Sequence, residues 1–292
     1  QVMYPRRIQL PRSYERRRLG QSPLFVSPIC IGISGSPETV EAAYEVGVNF
    51  FFLSSDLHWP LYEATRKGLA NLLASGRAKR DDIVVAACSY VDQPLFGALQ
   101  FHEVIDAIPG LKRVDVAIAG GVSNPASYYA RLPSLHVGKM SAYRGIAATG
   151  ASFHDRQCAL AAQNSNQLDI AYIRCNAAHP GARADIFPFL RRDRIGLTYN
   201  FKSLMFRVTE KELARVGLRG IEPPHACDYY RFVVGSPELD GILCAPQSPA
   251  EVQQLAAALE KPPLSLQEED YLIKLSALVF GWRAKTVRWP AA

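Results

Sequence analysis

Short apolar runs alternate along the chain with longer segments in which apolar residues recur at helical spacing. The runs are apolar on both faces, which is typical of strands covered by helices on one side and by packed side chains on the other. Alternation of this kind predicts a parallel β-sheet. The runs lie at residues 29–33, 48–53, 83–88, 114–119, 143–148, 170–174, 195–199 and 239–244.

A helical segment follows each run, so the pattern predicts an α/β fold, a single-domain (β/α)8 TIM barrel. The first helix, at 37–46, has Ser36 as its N-cap and Pro37 in its first turn. A doubly wound open sheet is the alternative that this pattern leaves open. The other predicted helices lie at 60–75, 101–108, 124–135, 154–163, 182–190, 226–234 and 250–259.

The remaining segments complete the predicted domain organisation. Residues 14–27 break at Gly20-Gln21-Ser22-Pro23 between β-prone residues, which predicts an N-terminal β-hairpin. Residues 1–13 are rich in Pro and Arg and predict a flexible arm, so the predicted barrel domain spans 14–292. The segment 200–222 is longer than a usual strand–helix connection and predicts a lid or binding loop. A further helical stretch lies at 268–279.

Composition narrows the class of protein. Apolar residues make up 48% of the 292 and charged residues 21%, so a large core is expected. The net charge of +6 is spread over short clusters, which argues against a nucleic-acid partner. The sequence has no apolar run of about 18 residues, so no membrane span is expected. The amino terminus lacks the apolar core of a signal peptide. No pair of cysteines has CxxC spacing, so no metal site is expected, and the dispersed cysteines predict a reduced, cytoplasmic protein.

The most informative stretch is 47–63, which reads GVNFFFLSSDLHWPLYE. It has the form of a buried strand that runs into a polar loop and then into a helix. In a (β/α)8 barrel, catalytic groups lie at such carboxyl ends of strands. Asp56, His58 and Trp59 place a carboxylate, an imidazole and an indole there. His58 is the candidate acid or base and Asp56 its orienting partner, although both side chains could equally cap the following helix.

Several tracts resemble the aldo-keto reductase family, in the family's order along most of the chain. The tract ERRRLGQSPLFVSPICIGI is similar to the family's hairpin and first strand, and GVNFF to the entry of the second strand. The tracts IRCNAAHPGARADIFPFL and IGLTYN are similar to strands six and seven of a bacterial branch of the family. The tract ACDYYRFVVGSPELDGILCAPQSPAEV resembles the family's final helix–strand–helix unit. The resemblance implies the barrel fold and, in ordinary members, reduction of carbonyl compounds by NADPH.

The catalytic tetrad that the resemblance implies is missing. Phe52 stands at the position of the family's Asp, and Leu57 at the position of the Tyr that donates the proton. Cys88 or Ser89 replaces the Lys, and the strand that should end in His reads Ala119-Gly120-Gly121. The two glycines are expected to open space for a larger or differently placed ligand. Without a proton donor near the developing alkoxide, little of the family's rate would remain.

The positions that bind the nicotinamide cofactor in the family are altered too. The family's Ser-Asn at the end of strand five reads Ala147-Ala148 here, and Tyr172 or Arg174 replaces a Gln on strand six. Tyr199 is the candidate for the aromatic residue that stacks on the nicotinamide. The phosphate loop reads Ala245-Pro246-Gln247-Ser248, without an Arg for the 2′-phosphate. We therefore expect no cofactor, with NADPH as the alternative.

Other groups at predicted strand ends are weaker candidates. Tyr62 would replace the missing phenol, or pack as a core aromatic. Cys88 would act as a nucleophile if a neighbour lowered its pKa, or fill the core. Arg174 and Lys202 are candidates to bind an anionic ligand, or to form salt bridges at the barrel rim. The full predicted ligand-binding set is Trp59, Tyr172, Arg174, Tyr199, Asn200 and Lys202.

Three functions remain open at this stage. The first is an enzyme that binds a small organic molecule at the barrel mouth and performs non-redox acid–base chemistry, such as elimination, isomerisation or cyclisation. The second is a divergent NADPH-dependent reductase with His58 or Tyr62 as proton donor. The third is a non-catalytic subunit or ligand sensor that acts through an oligomer or a partner protein. The fold does not choose among them, because one barrel supports many chemistries.

Overall fold

The chain forms a closed (β/α)8 barrel in a computed structural model that describes residues 5–140 and 145–286, with the backbone alone at 137–140 and 281–286. Around the barrel the strand order is β10-β3-β4-β5-β6-β7-β8-β9, and neighbouring strands are parallel. The barrel strands are β3 Ile29–Ile31, β4 Phe50–Ser54, β5 Val84–Ser89, β6 Val116–Val122, β7 Ala148–Phe153, β8 Ile170–Ile173, β9 Leu197–Asn200 and β10 Gly241–Cys244.

An antiparallel hairpin of β1 Arg17–Arg18 and β2 Phe25–Val26 precedes the barrel, so the predicted hairpin and fold class are both confirmed. The described helices are α1 Pro37–Glu45, α2 Glu63–Ala74, α3 Pro94–Ala107, α4 Pro125–Met140, α5 Arg156–Asn164, α6 Ala182–Asp185, α7 Glu210–Arg215, α8 Ala226–Val234, α9 Pro249–Leu259 and α10 Leu266–Thr286. Short 3₁₀ turns at Trp59–Tyr62 and Phe187–Phe189 replace the start of one predicted helix and the end of another. None of the described helices is both long and apolar enough to cross a membrane.

The strands form where the sequence is apolar because both of their faces are covered. Every residue of β4 and β5 is buried, and Ser36 caps α1 by accepting a hydrogen bond from the Thr39 amide. The exception is β7, which lies at Ala148–Phe153 and not at 143–148 as predicted. It reads ATGASF and is poor in large apolar residues. At Gly150 there is no room for a side chain, because a Cβ would lie 2.5 Å from Ile170 Cγ2. Residues 143 and 144 lie outside the described part of the chain.

Four side chains close the amino end of the barrel in a repeating way. They directly precede β4, β6, β8 and β10, one side chain before each strand. Each accepts a hydrogen bond from a backbone N–H that lies in, or just before, the strand one earlier in the chain. The pairs are Asn49 with Ser27 at 2.8 Å, Asp115 with Val85 at 2.8 Å, Asp169 with Thr149 at 2.9 Å and Asp240 with Thr198 at 2.9 Å. These bonds satisfy amides that the strand ladder leaves open.

Two segments outside the barrel pack against it. The described part of the predicted arm, 5–13, makes several contacts: Leu10 is buried and Ser13 donates a hydrogen bond to the Val46 carbonyl at 2.7 Å. Residues 1–4 lie outside the described part. The long segment after β9 contains α7 and is joined to α10 by a small apolar cluster of Val208, Leu213, Leu275 and Val279.

Candidate functional site

A cavity of 610 Å³ opens at the carboxyl end of the barrel. Its size and largely apolar lining are typical of small-molecule sites. The residues that line it come from the ends of β3, β4, β5, β7, β8, β9 and β10. They are Gly32, Ile33, Phe52, His58, Tyr62, Tyr90, Ser152, His154, Tyr172, Phe201, Lys202, Ser203, Leu204, Met205, Tyr230, Leu243, Cys244 and Ala245.

His58 and Asp56 form a hydrogen-bonded pair at the edge of this cavity, in the loop after β4. One Asp56 carboxylate oxygen, Oδ1, accepts hydrogen bonds from the His58 backbone N–H and from His58 Nδ1, both at 2.8 Å. The imidazole ring packs on Tyr90 with 5.8 Å between centroids. The Asp56 side chain is 15% exposed and that of His58 55%. With Nδ1 held by the carboxylate, Nε2 is the nitrogen that remains for a ligand.

The helix-cap alternative for Asp56 is therefore wrong. The N-cap of α2 is Tyr62, and Asp56 bonds to His58 instead. Leu57, at the position of the family's proton-donating Tyr, points into solvent with 96% of its surface exposed.

Tyrosine hydroxyls and cysteine thiols meet at the floor of the cavity. Burial raises the pKa of Tyr62 and that of Tyr172, whose hydroxyl lies 3.8 Å from Cys30 Sγ. The neighbouring Cys88 thiol and then burial raise the pKa of Tyr90. Burial raises the pKa of Cys88 itself, which favours the protonated thiol over the nucleophilic thiolate. All of these groups are neutral hydrogen-bonding groups rather than acids tuned for proton transfer.

Gly120 and Gly121 do not open space for a ligand, contrary to the expectation from sequence. The Tyr90 ring lies over them: a Cβ on Gly120 would stand 2.7 Å from Tyr90 Cε1 and 2.6 Å from Cys88 Sγ. Gly121 has φ of +62°, which glycine adopts without strain. The two glycines therefore make room for Tyr90, which in turn forms one wall of the cavity.

The opposite wall is cationic. Lys202 follows β9 with its Nζ 5.9 Å from the Phe201 ring centroid, and His154 follows β7 with its ring edge-on to Phe201 at 5.6 Å. Burial, the Lys202 charge and the Arg174 charge, in that order, lower the pKa of His154. The imidazole of His154 is thus neutral at pH 7 and carries an N–H that can donate to a ligand.

The predicted site residues divide into two groups. His58, Tyr62, Tyr172 and Lys202 line the cavity, and Asp56 lies directly behind His58. The other predicted residues do not line the cavity; they are Trp59, Cys88, Arg174, Tyr199 and Asn200.

Tyr199 is fully buried, and its hydroxyl donates to the Ser27 carbonyl at 2.6 Å, so it faces the amino end of the barrel and cannot stack on a ligand at the mouth. Asn200 is also buried, because its side chain bonds to the Cys175 amide at 2.6 Å and the Ser203 hydroxyl at 2.7 Å. The aromatic residue that the β9 end presents to the cavity is Phe201.

Trp59 and Arg174 flank the cavity without lining it. The Arg66 guanidinium lies 3.8 Å from the Trp59 ring centroid and bonds to the Trp59 carbonyl, which fixes the indole against α2. Arg174 lies behind His154, with Nη1 3.9 Å from Met205 Sδ. Arg174 acts on the site through its charge rather than by contact.

Sequence reasoning missed Tyr90, Ser152, His154 and Phe201. The misplaced strand β7 hid Ser152 and His154, since its true end is Phe153. The Ser-Phe-His tract at 152–154 was the available signal: a polar residue, a buried aromatic and an imidazole at a strand end.

A second cavity of 660 Å³ adjoins the first, because Leu204, Tyr230 and Ala245 bound both. Arg207 and His225 line it, and so do the carboxylates of Glu222 and Glu251. Together the two cavities form one cleft across the ends of β9 and β10.

The residues of this cleft do not fit the nicotinamide dinucleotide that the resemblance implies. In the loop after β10, Pro246 has no N–H and the Gln247 N–H donates to the Glu251 carboxylate at 2.8 Å. The Glu251 amide in turn donates to the Ser248 hydroxyl at 3.2 Å. The Gln247 and Glu251 N–H groups are thus occupied, and the Glu251 carboxylate lies in the first turn of α9, where a bound anion would otherwise be favoured.

Solved structures of aldo-keto reductases share this architecture. The aldo-keto reductase AKR11C1 from Bacillus halodurans, in its holo form, matches with a TM-score of 0.66 and 14% identity, over 90% of this chain and 96% of that chain. PA4992 of Pseudomonas aeruginosa, assigned to the same family, matches with a TM-score of 0.61 and 15% identity, over 87% and 98%. No family sequence model and no curated protein sequence matches the chain. The chain therefore has the barrel fold of aldo-keto reductases.

Proposed function

We propose that this protein is an enzyme that binds a small organic molecule in the mouth cavity and transfers protons without a nicotinamide cofactor. The observation that carries the proposal is the His58–Asp56 pair at the edge of the 610 Å³ cavity. Elimination, isomerisation and cyclisation are the reaction types that such a pair serves.

The chemistry follows from the orientation of the imidazole. Asp56 fixes Nδ1 and stabilises the imidazolium that forms when Nε2 takes a proton, as carboxylates do in other imidazole–carboxylate pairs. Tyr62 and Tyr90 line the same cavity, and their neutral hydroxyls are proposed to hold a substrate oxygen by hydrogen bonds. His58 is thus the proposed base or acid, and the two tyrosines are proposed to orient the substrate.

Two observations count against the alternative of a divergent reductase. Reduction of a carbonyl needs a phenol with a lowered pKa, whereas burial raises the pKa of Tyr62. The loop after β10 is also occupied by the Glu251 carboxylate. Oxidation of NADPH in the presence of a panel of aldehydes and ketones would overturn the proposal in favour of the reductase.

Hydrogen–deuterium exchange into small molecules tests the proposal without knowledge of the product. Where such a reaction begins with reversible abstraction of a proton next to a carbonyl group, the purified chain in D₂O should exchange a C–H proton of its ligand. A panel of carbonyl acids followed by proton NMR would detect this exchange. His58→Asn should lower the rate by roughly 10²–10⁴-fold.

The chain provides a matched control for this experiment. His102 and Asp106 on α3 form a second imidazole–carboxylate pair, 3.4 Å apart, that does not line the cavity. His102→Asn should leave exchange unchanged. Equal losses in the two variants, or no exchange with any compound of the panel, would count against the proposal.

A partner-binding role remains a second candidate because several large apolar side chains near the cavity are exposed. Leu57 and Leu61 follow β4, and Leu95, Phe96 and Leu99 lie on α3. Native mass spectrometry of the full chain would detect an oligomer. A stable complex that still forms in His58→Asn, together with an unchanged cellular level of the pathway's product in that variant, would favour this role over catalysis.

A further inference from the structure

We infer that the mouth cavity recognises small aromatic carboxylates, with the carboxylate group against Lys202 and the ring between the aromatic walls. The inference rests on the proposed function for the choice of site and deepens it by naming the class of ligand. Three features support it: the charge of Lys202, the backbone conformation at Lys202 and the aromatic lining of the cavity.

Lys202 lines the cavity and is exposed to solvent, so its charge is accessible to a ligand. Among the described residues that line it, Lys202 is the one permanent charge, and none is Asp or Glu. Lys67 and Lys274 pair with acids one turn away at 2.8 and 2.6 Å, but Lys202 has no such partner in the described part of the chain. A cation without a counterion at the wall of a concave apolar site attracts an anion.

Neutral donors stand beside this cation. His154 and Ser152 line the cavity from β7, and His154 shares the Phe201 ring with Lys202. A carboxylate has two oxygens, and here an ammonium group and an imidazole N–H are available on the same wall. Because burial and the Lys202 charge keep His154 neutral, its N–H adds a directed hydrogen bond rather than a second cation.

The backbone at Lys202 is unusual for a lysine. Its φ is +57°, in the left-handed region that glycine adopts freely and other L-residues avoid. Phe206, four residues on, has φ of +60°. Lys112 and Asn166, which do not line the cavity, adopt the same conformation, so at Lys202 the backbone matters through the place it gives to the side chain. At Lys202 the side chain supplies the cation on the cavity wall.

The shape of the cavity favours a planar ring. Aromatic residues contributed by β4, β5, β8, β9 and α8 line it, and Phe52 packs edge-on against Tyr172 at 5.5 Å. His58 and Tyr90 follow β4 and β5, whereas Lys202 follows β9, which is diametrically opposite β5 in the barrel order. A ring anchored through its carboxylate at Lys202 would therefore extend towards the His58–Asp56 pair. The lining aromatic residues are Phe52, Tyr62, Tyr90, Tyr172, Phe201 and Tyr230.

Calorimetric binding of 2-naphthoate and of its uncharged amide, 2-naphthamide, to the full chain tests the inference. The two probes have nearly the same shape, so their affinity ratio reports the carboxylate. We expect 2-naphthoate to bind at least roughly tenfold more tightly, and this preference to fall to about onefold in Lys202→Gly. Glycine suits the local backbone, so this variant removes the cation while keeping the loop conformation.

Lys211→Met is the matched control, because Lys211 is an exposed lysine on α7 that lies away from the cavity. It should leave the preference intact. Equal affinities of the two probes, an equal loss in Lys211→Met, or no binding of 2-naphthoate at millimolar concentration would overturn the inference. So would binding of NADPH that depends on Lys202 without binding of 2-naphthoate, since the lysine would then serve a phosphate.

The same measurement in His58→Asn separates this inference from the proposed function. Binding of 2-naphthoate should persist in that variant, because His58 is not the anion site. Lys202-dependent binding without any His58-dependent exchange would refute the catalytic proposal and leave the ligand class standing. His58-dependent exchange without a preference for the carboxylate would do the reverse.

Discussion

Asp56 is the residue on which the orientation of His58 depends, since a single carboxylate oxygen binds both the backbone and the ring of the histidine. Asp56 is therefore a positioning residue, and its loss should act through His58. We expect Asp56→Asn to lower exchange at saturating ligand by roughly 10²-fold, because the amide no longer stabilises the imidazolium. The ligand concentration for half-maximal exchange should stay unchanged.

Proton NMR of ligand exchange in D₂O measures both quantities, and Asp106→Asn on α3 is the control. A purely structural role for Asp56 would instead raise the half-maximal concentration together with the loss of rate. Partial recovery in Asp56→Glu would support the positioning role.

His154 gives a prediction about pH. Its pKa is lowered from 6.5 by burial, Lys202 and Arg174, in that order. Lys202→Gly removes one of these causes, so the pKa of His154 should move back towards its ordinary value. Titration of the imidazole protons by NMR measures this shift, and Lys211→Met should leave the pKa unchanged.

The sign of the stability effect follows from the same shift. Because the folded state holds this pKa low, the unfolded chain binds the proton first as the pH falls below 6.5. The free energy of unfolding should therefore decrease between pH 6.5 and the lowered pKa, and decrease less in Lys202→Gly. An unchanged pH dependence in that variant would show that burial alone sets the pKa.

At the residue scale, sequence reasoning placed side chains at or beside the cavity where they follow a strong apolar strand. His58 and Asp56 were found because the run before them is unambiguous, and Lys202 because it follows β9. Tyr199 was misjudged because strand periodicity does not say whether an inward side chain points to the mouth or to the amino end of the barrel. Its hydrogen bond to the Ser27 carbonyl is a long-range contact that no local pattern reveals.

The segment after β9 is the element that joins both cavities, because residues from Phe201 to Glu222 line one or the other. Its attachment is the small cluster in which Val208 and Leu213 pack on α10. We expect Leu213→Ala to destabilise this attachment by about 2–5 kcal/mol, because a fully buried leucine leaves a cavity. Hydrogen exchange of the amides in 203–216 should accelerate, and 2-naphthoate should bind more weakly.

Leu278→Ala is the control, since Leu278 lies on the same helix with its side chain exposed. It should alter neither exchange nor binding. Faster exchange over the whole barrel in Leu213→Ala would mean that the cluster supports the fold rather than the segment alone.

At the element scale, the pattern located the strands wherever bulky apolar residues filled both faces. It failed at β7 because that strand consists mostly of small residues, among them Gly150, where Ile170 leaves no room for a side chain. The nearby run at 143–148 resembled a strand more strongly. This single shift removed Ser152 and His154 from view, so the error in the element became an error in the site.

The whole barrel is held at its amino end by the aspartates and the asparagine that bond between strands. Asp115 is the most connected of them: its carboxylate accepts from Val85 N–H, from Arg80 at 2.7 Å and from Arg113 at 3.1 Å. We expect Asp115→Ala to lower the free energy of unfolding by about 3–5 kcal/mol, because the buried Arg80 charge would keep backbone carbonyls as acceptors but lose its carboxylate. Urea unfolding followed by circular dichroism measures the change.

Asp81→Ala is the matched control, because Asp81 also binds Arg113, at 2.6 Å, but is exposed. It should leave the midpoint of unfolding unchanged. A comparable loss in both variants would place the effect in Arg113 and not in the closure of the barrel.

A short sequence pattern marks the four residues that make these bonds, directly before β4, β6, β8 and β10. In each case a buried Val or Leu precedes the Asn or Asp: Val48, Val114, Leu168 and Leu239. The pattern predicts which residue begins a strand. Without the fold, however, nothing in it identifies the amide to which the side chain bonds, since the partner lies one strand earlier and up to 42 residues away.

Each of these four bonds links two neighbouring strands, so the barrel strands are tied in pairs: β3 with β4, β5 with β6, β7 with β8, and β9 with β10. A break in the chain between α4 and β7 would leave two intact pairs on each fragment and sever none of the four bonds. We therefore expect two half-barrels, expressed as separate polypeptides, to reassemble through the β6–β7 and β10–β3 pairings. The mouth cavity would form only on reassembly, since His58 and Tyr90 belong to one half and His154 and Lys202 to the other.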